Sequence, residues 1–485
     1  MSEVTINADI LHSFPPVDED KLNRILENEI KANDSKFIVL DDDPTGVQTV
    51  HDIHVFTDWS VESMVEGLND SAKIFYILTN SRSMTRKETT KVHKEIIRNA
   101  RQAAEITRKN YQFISRSDST LRGHYPLETE LLRQGLEAAG RKIDGEILCP
   151  FFKEGGRFTI NNTHYVQYDD KLVPAAQTEF AKDHTFGYSH SDLTSYIEEK
   201  TEGRYPAKNV VCISLNDLRE ENTNKIVSQL MSAENFNKVC INAVDCCDLK
   251  EFCIALYRAM AAGKTFLIRS AAGIVKVIGG ISDKPLLTRA EMISGQQHNG
   301  GVIIVGSHTA KTTAQLNELL KLDGTVGIEF RSGKVLDGEK AFAAGIERCV
   351  REEEKVIQGG KTAVCYTERK LLSLPNDTKE EALIRSVKIS DGVQRLVGEL
   401  KVAPSFIISK GGITSSDIGT KALRVRKATV MGQIRPGIPV WRTGAESKFP
   451  GNPYVIFPGN VGNVSTLREA AEILMGKTDQ ICLND

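Results

Sequence analysis

Three consecutive carboxylates, Asp41, Asp42 and Asp43, precede Pro44, Thr45 and Gly46 and directly follow the apolar run 36–40. Their mutual repulsion is costly unless cations or hydroxyls compensate it, so such crowding marks sites that bind a metal, take a proton or orient substrate hydroxyls. Asp-Pro-Thr-Gly is also ordinary turn chemistry, and a solvated corner accounts for these residues equally well. A second string, Arg116-Ser117-Asp118-Ser119-Thr120-Leu121-Arg122-Gly123-His124, sets two guanidinium groups, a carboxylate and several hydroxyls behind another apolar run. Arginine forks fit carboxylate or phosphate, while Ser, Thr and Asp suit polyhydroxylated carbon chains. Arg82, within Asn80-Ser81-Arg82-Ser83, is expected beside them. Alone, each of the last two strings reads slightly better as a helix cap with surface ion pairs; the convergence of all three points to a small hydroxy acid.

A different chemistry occupies the second half. Lys410-Gly411-Gly412-Ile413-Thr414-Ser415-Ser416-Asp417 follows an apolar run and opens a helix. Its glycines allow close backbone approach, and unpaired N–H groups with Thr and Ser hydroxyls can cradle phosphate oxygens. Gly306-Ser307-His308-Thr309 and Pro458-Gly459-Asn460-Val461-Gly462-Asn463 are further glycine turns, each explained more simply as structure than as a site, though three together are harder to dismiss. No GxxxxGK[ST] string, dinucleotide GxGxxG fingerprint or protein-kinase HRD and DFG set occurs. His51 and His54 lack an HExxH context, and Cys240, Cys246, Cys247 and Cys253 lack paired CxxC spacing, so no metal is assigned to either group.

The elements that must position these residues alternate short β-rich runs with helical stretches. Runs at 36–40, 74–78, 111–114 and 146–149, then 301–305, 405–408 and 454–457, each end in polar or glycine residues. That pattern predicts an α/β fold of two domains, each with a mainly parallel sheet flanked by helices and with ligand chemistry along one rim. We divide the 485 residues into an N-terminal arm or lead-in helix at 1–34, a substrate-binding domain at 35–260 and a nucleotide-binding domain at 261–485. The polar, aromatic stretch 155–196 has little periodic order and reads as an excursion lining a site or as a surface loop. With 62 basic against 64 acidic residues and a formal charge of −2, a broad polyanion-binding surface is not expected, and nucleic acid is excluded as a partner. The apolar runs are too short for a membrane span, and the N-terminus lacks the pattern of a secretory signal. Nine cysteines, an odd number in a long chain, suit a reducing cytoplasm better than a disulfide framework.

DDDPTG, NSRS, SRSDSTLRGHYPLE, GSHT, KGGITSSDI and PGNVG, in this order over about 37–475, together resemble the four-carbon acid sugar kinase family. The resemblance, not the spacing, implies the activity: ATP-dependent phosphorylation of threonate-, erythronate- or oxo-tetronate-type acids. Carried over by motif, it places substrate binding at Asp42, Asp43, Arg82, Arg116, Ser117, Asp118 and Ser119, and nucleotide binding at Ser307, Gly411, Gly412, Ile413, Thr414 and Gly459. Departures from the commoner pattern are the extra Asp41 and Pro44, Arg116 in place of lysine, Ile413 in place of glutamate and Val461 in place of phenylalanine. The expected mechanism has Arg82 and Arg116 clamp the carboxylate while Asp43 or Asp118 orients the hydroxyl and takes its proton. ATP brings Mg²⁺ on its phosphates; the protein's metal ligands are not assigned. A homo-oligomer is compatible with the sequence. Rival readings are a metal-dependent sugar-acid lyase or isomerase and a non-catalytic protein that binds a metabolite or nucleotide.

Overall fold

Near-continuous apolar runs rather than alternating ones indicate strands covered on both faces, and the computed structural model has that arrangement. It describes residues 3–295, 298–370, 372, 374, 377–459 and 461–478. The chain divides into one unit of Met1–Gly46 with Asp58–Asp283 and a second of Val47–Thr57 with Lys284–Asp485.

In the first unit the sheet order is Val211–Ile213, Asn237–Ile241, Gly145–Cys149, Phe266–Ser270, Tyr111–Arg116, Lys36–Asp41, Ile74–Leu78. Every neighbouring pair is parallel. Register then decides where the polar strand endings meet. Asp41 lies opposite both Leu78 and Arg116, and Arg116 lies opposite Ser270. The acidic turn, the Arg82 turn and the Arg116 string therefore leave adjacent strands at one rim. Helices return the chain between strands; Arg86–Thr107, for example, begins at a capping box of Thr85 and Glu88.

Residues 155–196 do not form a featureless loop. Arg157–Ile160, Thr163–Tyr168 and Lys171–Pro174 make an antiparallel meander, with Ile6–Asn7 added at its edge. Asn161 and Asn162 form the two-residue hairpin turn, with φ of 47° and 66°, left-handed values that asparagine tolerates well. Further along the N-terminal segment, the Glu19–Ala32 helix is capped by Asp18 and buries Leu22 and Leu26.

In the second unit, Pro453–Phe457, Ile407–Lys410, Val302–Val305, Thr362–Thr367 and Thr325–Phe330 run parallel in that order. Ile438–Thr443, Lys427–Arg435 and Ile53–Phe56 extend the sheet antiparallel beyond Pro453–Phe457. Val305, Ile408, Phe457 and Leu467 belong to its buried core. Here too the register gathers the turns: Val305 lies opposite Lys410, and Lys410 opposite Phe457.

One interior charge pair crosses the first sheet. Lys238 and Glu146 lie opposite each other with no solvent exposure and form an ion pair, while the ammonium sits 3.7 Å from the Phe236 ring centre. Removing only the cation leaves a bare buried carboxylate, so Lys238→Met should lower stability by about 3–5 kcal/mol. Chemical denaturation of Lys238→Met and of Lys238→Met/Glu146→Leu tests this, with the double variant recovering most of the loss.

Candidate functional site

At the first unit's rim, Arg82 donates to Asp42 and Asp43: Nη2 lies 3.2 Å from Asp42 Oδ1 and 3.0 Å from Asp43 Oδ2. Its Nη1 is 3.6 Å from Asp118 Oδ1. Arg116 Nη1 lies 3.1 Å from Asp41 Oδ1 and 3.8 Å from Asp42 Oδ1. Asp118 is held further by Arg122 Nε at 2.6 Å and by the Thr120 hydroxyl. The residues expected from the acidic turn, the Arg82 turn and the Arg116 string thus form one cluster. Ser117 and Ser119 are buried within the last string.

The aspartates are not equivalent. Burial pushes Asp41 up to about 7, with the neighbouring carboxylates adding to the effect and Arg116 opposing it. Burial also raises Asp42, to about 6 against the pull of Arg82 and Arg116. Asp43 and Asp118 are desolvated too, but Arg82 and their other partners together outweigh that cost. Thr45 helps to draw Asp43 down, and Arg122 with Thr120 helps to hold Asp118 well below the usual carboxylate range. The Asp43 and Asp118 side chains are 23% and 11% exposed, against 2% and 3% for Asp41 and Asp42. The two more accessible carboxylates are therefore the two held most firmly in the ionised form.

Gly46 has a specific steric reason: a Cβ there would collide with the Asp41 carboxylate. Asn80 takes a left-handed φ of 56° as the chain turns toward Arg82. The adjacent Ser81 donates to buried Glu128 at 2.6 Å. Beyond the strings, Arg269 and Ser270 end the strand beside Arg116. Their type and position after an apolar run are the only signal that sequence reading had for them.

Six polar side-chain atoms of this rim are buried without a hydrogen-bond partner: Asp42 Oδ2, Arg82 Nε, Arg116 Nε, Ser117 Oγ, Arg269 Nε and Ser270 Oγ. Proteins leave few such atoms, and each is costly. Their concentration at the C-terminal ends of parallel strands, where open α/β sheets bind ligands, marks a polar ligand site.

The loop 119–122 is fixed through its backbone. Ser119 O accepts from His164 Nε2 at 2.7 Å, and Thr120 O and Leu121 O accept from the Tyr188 and Tyr196 hydroxyls at 2.8 Å each. Arg122 O accepts from Arg269 Nη2 at 3.1 Å. Burial lowers His164 to about 4, so the ring is neutral; Nε2 carries the proton and Nδ1 accepts from Thr159 Oγ1 at 3.0 Å. Leu121 is held at a φ of 68°, which a bulky residue seldom adopts. Much of the 155–196 excursion thus serves as a brace for this loop.

In the second unit the three glycine turns leave adjacent strands. Gly411 has a φ of 120°, and a Cβ there would stand 3.4 Å from both Ser307 Cβ and Thr414 Oγ1. Gly306 lies so close to the Thr414 hydroxyl that no side chain fits. Gly412 begins the Gly412–Asp417 helix, and Ile413 in its first turn is 68% exposed. Gly459 faces open space, while Asn460 lies outside the described residues. Lys410, which opens the KGGITSSD string, carries no separate sequence signal. Its ammonium donates to Pro458 O at 2.6 Å and Gly459 O at 3.2 Å, and sits 4.2 Å from the Phe457 ring centre. Burial, helped by Lys311, lowers it to about 7. It ties the glycine cradle to the Gly459 turn. Among the described residues no cluster of three or more His, Cys, Asp or Glu side chains is arranged to hold a metal ion. No helix there is long and apolar enough to cross a membrane.

Comparison with known proteins assigns the two parts separately. Residues 37–278 match a family model described as a sugar-binding N-terminal domain, and residues 302–467 one described as a nucleotide-binding C-terminal domain. No curated protein matches. A Haemophilus influenzae crystal structure of the DUF1537 family is similar at a TM-score of 0.60 and 17% identity, covering 90% of this chain and 100% of its own. A Salmonella typhimurium LT2 structure, named provisionally as a tRNA synthase, is similar at 0.66 and 14% identity, covering 90% and 98%. At these identities the likeness is one of fold.

A pH prediction follows from the buried aspartates. Between about pH 4 and 7, Asp41 and Asp42 bind more protons folded than unfolded, so each withdraws stability as pH rises through that window. Asp41→Asn removes one of them, and its denaturation midpoint should fall less from pH 5 to 7.5 than that of the wild type.

Proposed function

The chain belongs to the four-carbon acid sugar kinase family, and from that premise we propose that it transfers the γ-phosphoryl group of ATP to a hydroxyl of a small, four-carbon sugar acid. The observation that carries this reading is the group of six unpartnered polar atoms among ionised side chains at the first unit's rim. They comprise three donors, one acceptor and two hydroxyls that can act as either, a mixture that a polyhydroxylated ligand can satisfy. In this reading Asp42, Arg82, Arg116, Ser117 and Ser119 bind the acid. Asp43 or Asp118, accessible and ionised, accepts the hydrogen bond of the reacting hydroxyl and takes its proton.

Neither of those two carboxylates is a strong base. Phosphoryl transfer through a loose transition state needs chiefly an oriented nucleophile and neutralised charge, so a weak base in the right place serves. Ser307, the Gly411, Gly412, Ile413 and Thr414 cradle and Gly459 would hold the nucleotide, with Gly411 allowing the backbone to approach its phosphates. Magnesium would arrive on the phosphates and neutralise their charge; a metal bound in this way keeps several waters and needs no all-protein cage.

A coupled ADP-release screen over four-carbon and branched sugar acids tests the activity. Metal-dependent turnover without ATP would replace it with a lyase or isomerase. Binding of both ligands with no ADP release would leave a binding protein. On the best acid, Asp43→Asn and Asp118→Asn should each lower kcat by about 10²–10⁴-fold if that residue is the base; wild-type kcat in both variants rules out both assignments. Gly411→Ala should raise KM for ATP more than KM for the acid, as steady-state kinetics with each substrate varied in turn will show.

A further inference from the structure

The charge balance of the rim bears on where a substrate carboxylate can go. Arg82 is shared among Asp42, Asp43 and Asp118, Arg116 between Asp41 and Asp42, and Arg122 between Asp118 and Asp183. A substrate carboxylate placed on Arg82 and Arg116 would add an anion to a cluster in which five aspartates already share three arginines. Two nearby arginines make no ion pair among the described residues: Arg269, which is tied to the Arg122 carbonyl through Nη2, and Arg157. Arg157, at the start of the Arg157–Ile160 strand, is half-buried and makes no ion pair or side-chain hydrogen bond among the described residues. Its Nε is buried without a partner.

Arg157 lies beside an aromatic ring that it shares with Arg122. The Arg157 guanidinium stands 5.7 Å from the Phe180 ring centre and that of Arg122 5.1 Å from the same ring. Arg122 in turn grips Asp118. Arg157 is thus one ring away from the acidic cluster. Of the anions nearest it, Asp118 is held by Arg122 and Arg82, while Glu179 accepts from the Tyr168 hydroxyl at 2.8 Å. Burial lowers the Arg157 pKa despite those neighbours, as expected of a cation whose counter-charge is incomplete.

We infer that Arg157, rather than the Arg82 and Arg116 pair, receives the carboxylate of the sugar acid. This rests on the sugar-acid reading above and assigns the anchor within it. Arg82 and Arg116 then serve to offset the crowding of the aspartates and hold them in place for the hydroxyls. The carbon chain runs from Arg157 toward Asp118 and Asp43. The inserted meander, which carries Arg157, becomes the element that distinguishes an acid from the corresponding polyol.

Calorimetric titration of the full chain without nucleotide, using threonate and erythronate against threitol and erythritol, tests the assignment. Wild type should bind an acid more tightly than its polyol. Arg157→Met should weaken acid binding by about 10- to 100-fold, the range for one charge-assisted pair, while polyol binding stays unchanged. Arg157→Lys should recover part of the loss. Circular dichroism melts of both variants check that they are folded. Acid affinity within about twofold of wild type in Arg157→Met, or equal weakening of acid and polyol, overturns the inference. Failure of wild type to bind any acid removes the sugar-acid reading and this inference with it. Acid binding without ADP release once ATP is added defeats only the kinase reading, because the Arg157 comparison is scored without nucleotide.

Discussion

Four aspartates cannot be gathered at one sheet rim unless arginines from neighbouring strands meet them, and this constraint organises the first unit. The parallel register that puts Asp41 opposite Arg116 is simultaneously a packing and an electrostatic requirement. Slipping it by one residue would turn an inward strand face outward and separate a buried carboxylate from its cation. The compensation remains incomplete. Arg82, with Thr45 at Asp43 and Arg122 at Asp118, holds those two ionised, while burial still raises Asp41 to about 7 and Asp42 to about 6, giving one rim both firmly ionised acceptors and groups that exchange protons near physiological pH. An apolar ligand would leave these atoms stranded, whereas a polyol or hydroxy acid can satisfy them.

What the sequence disclosed was local. The acidic turn, Arg82 and the Arg116 string are contiguous chemistry at the ends of apolar runs, so the α/β class and the grouping of these residues could be read directly. The braces could not. His164, Tyr188 and Tyr196 act on carbonyls some 45 to 75 residues away in the chain, and a histidine or tyrosine destined to donate to a distant carbonyl carries no local mark. Arg157 carries no local mark either: that it lacks an ion-pair partner is visible only when every nearby carboxylate has been placed. The path of Val47–Thr57 was hidden too, since the Ile53–Phe56 strand pairs with Lys427–Arg435, more than 370 residues further on.

The second unit depends on a different economy of charge. Its cradle uses backbone conformation, with Gly411 at a φ that side chains avoid and Gly306 pressed against Thr414. The buried cation there, Lys410, is turned toward the Pro458 and Gly459 carbonyls instead of a carboxylate. Backbone oxygens satisfy its donors without adding a formal negative charge where a polyphosphate would have to approach. The exposed Ile413 gives the first helical turn an apolar surface.

The four carbonyls of 119–122 separate heredity of shape from heredity of chemistry. Because the brace grips main-chain oxygens, which every amino acid possesses, selection can exchange side chains along this loop without dismantling its path. The binding repertoire can therefore drift while the scaffold stays constant. Leu121 marks the boundary of that freedom, for its left-handed backbone admits glycine or asparagine readily but resists β-branched replacements. A lineage with this architecture can diversify its substrates by point substitution, whereas loss of Tyr188, Tyr196 or His164 would close off those routes at once.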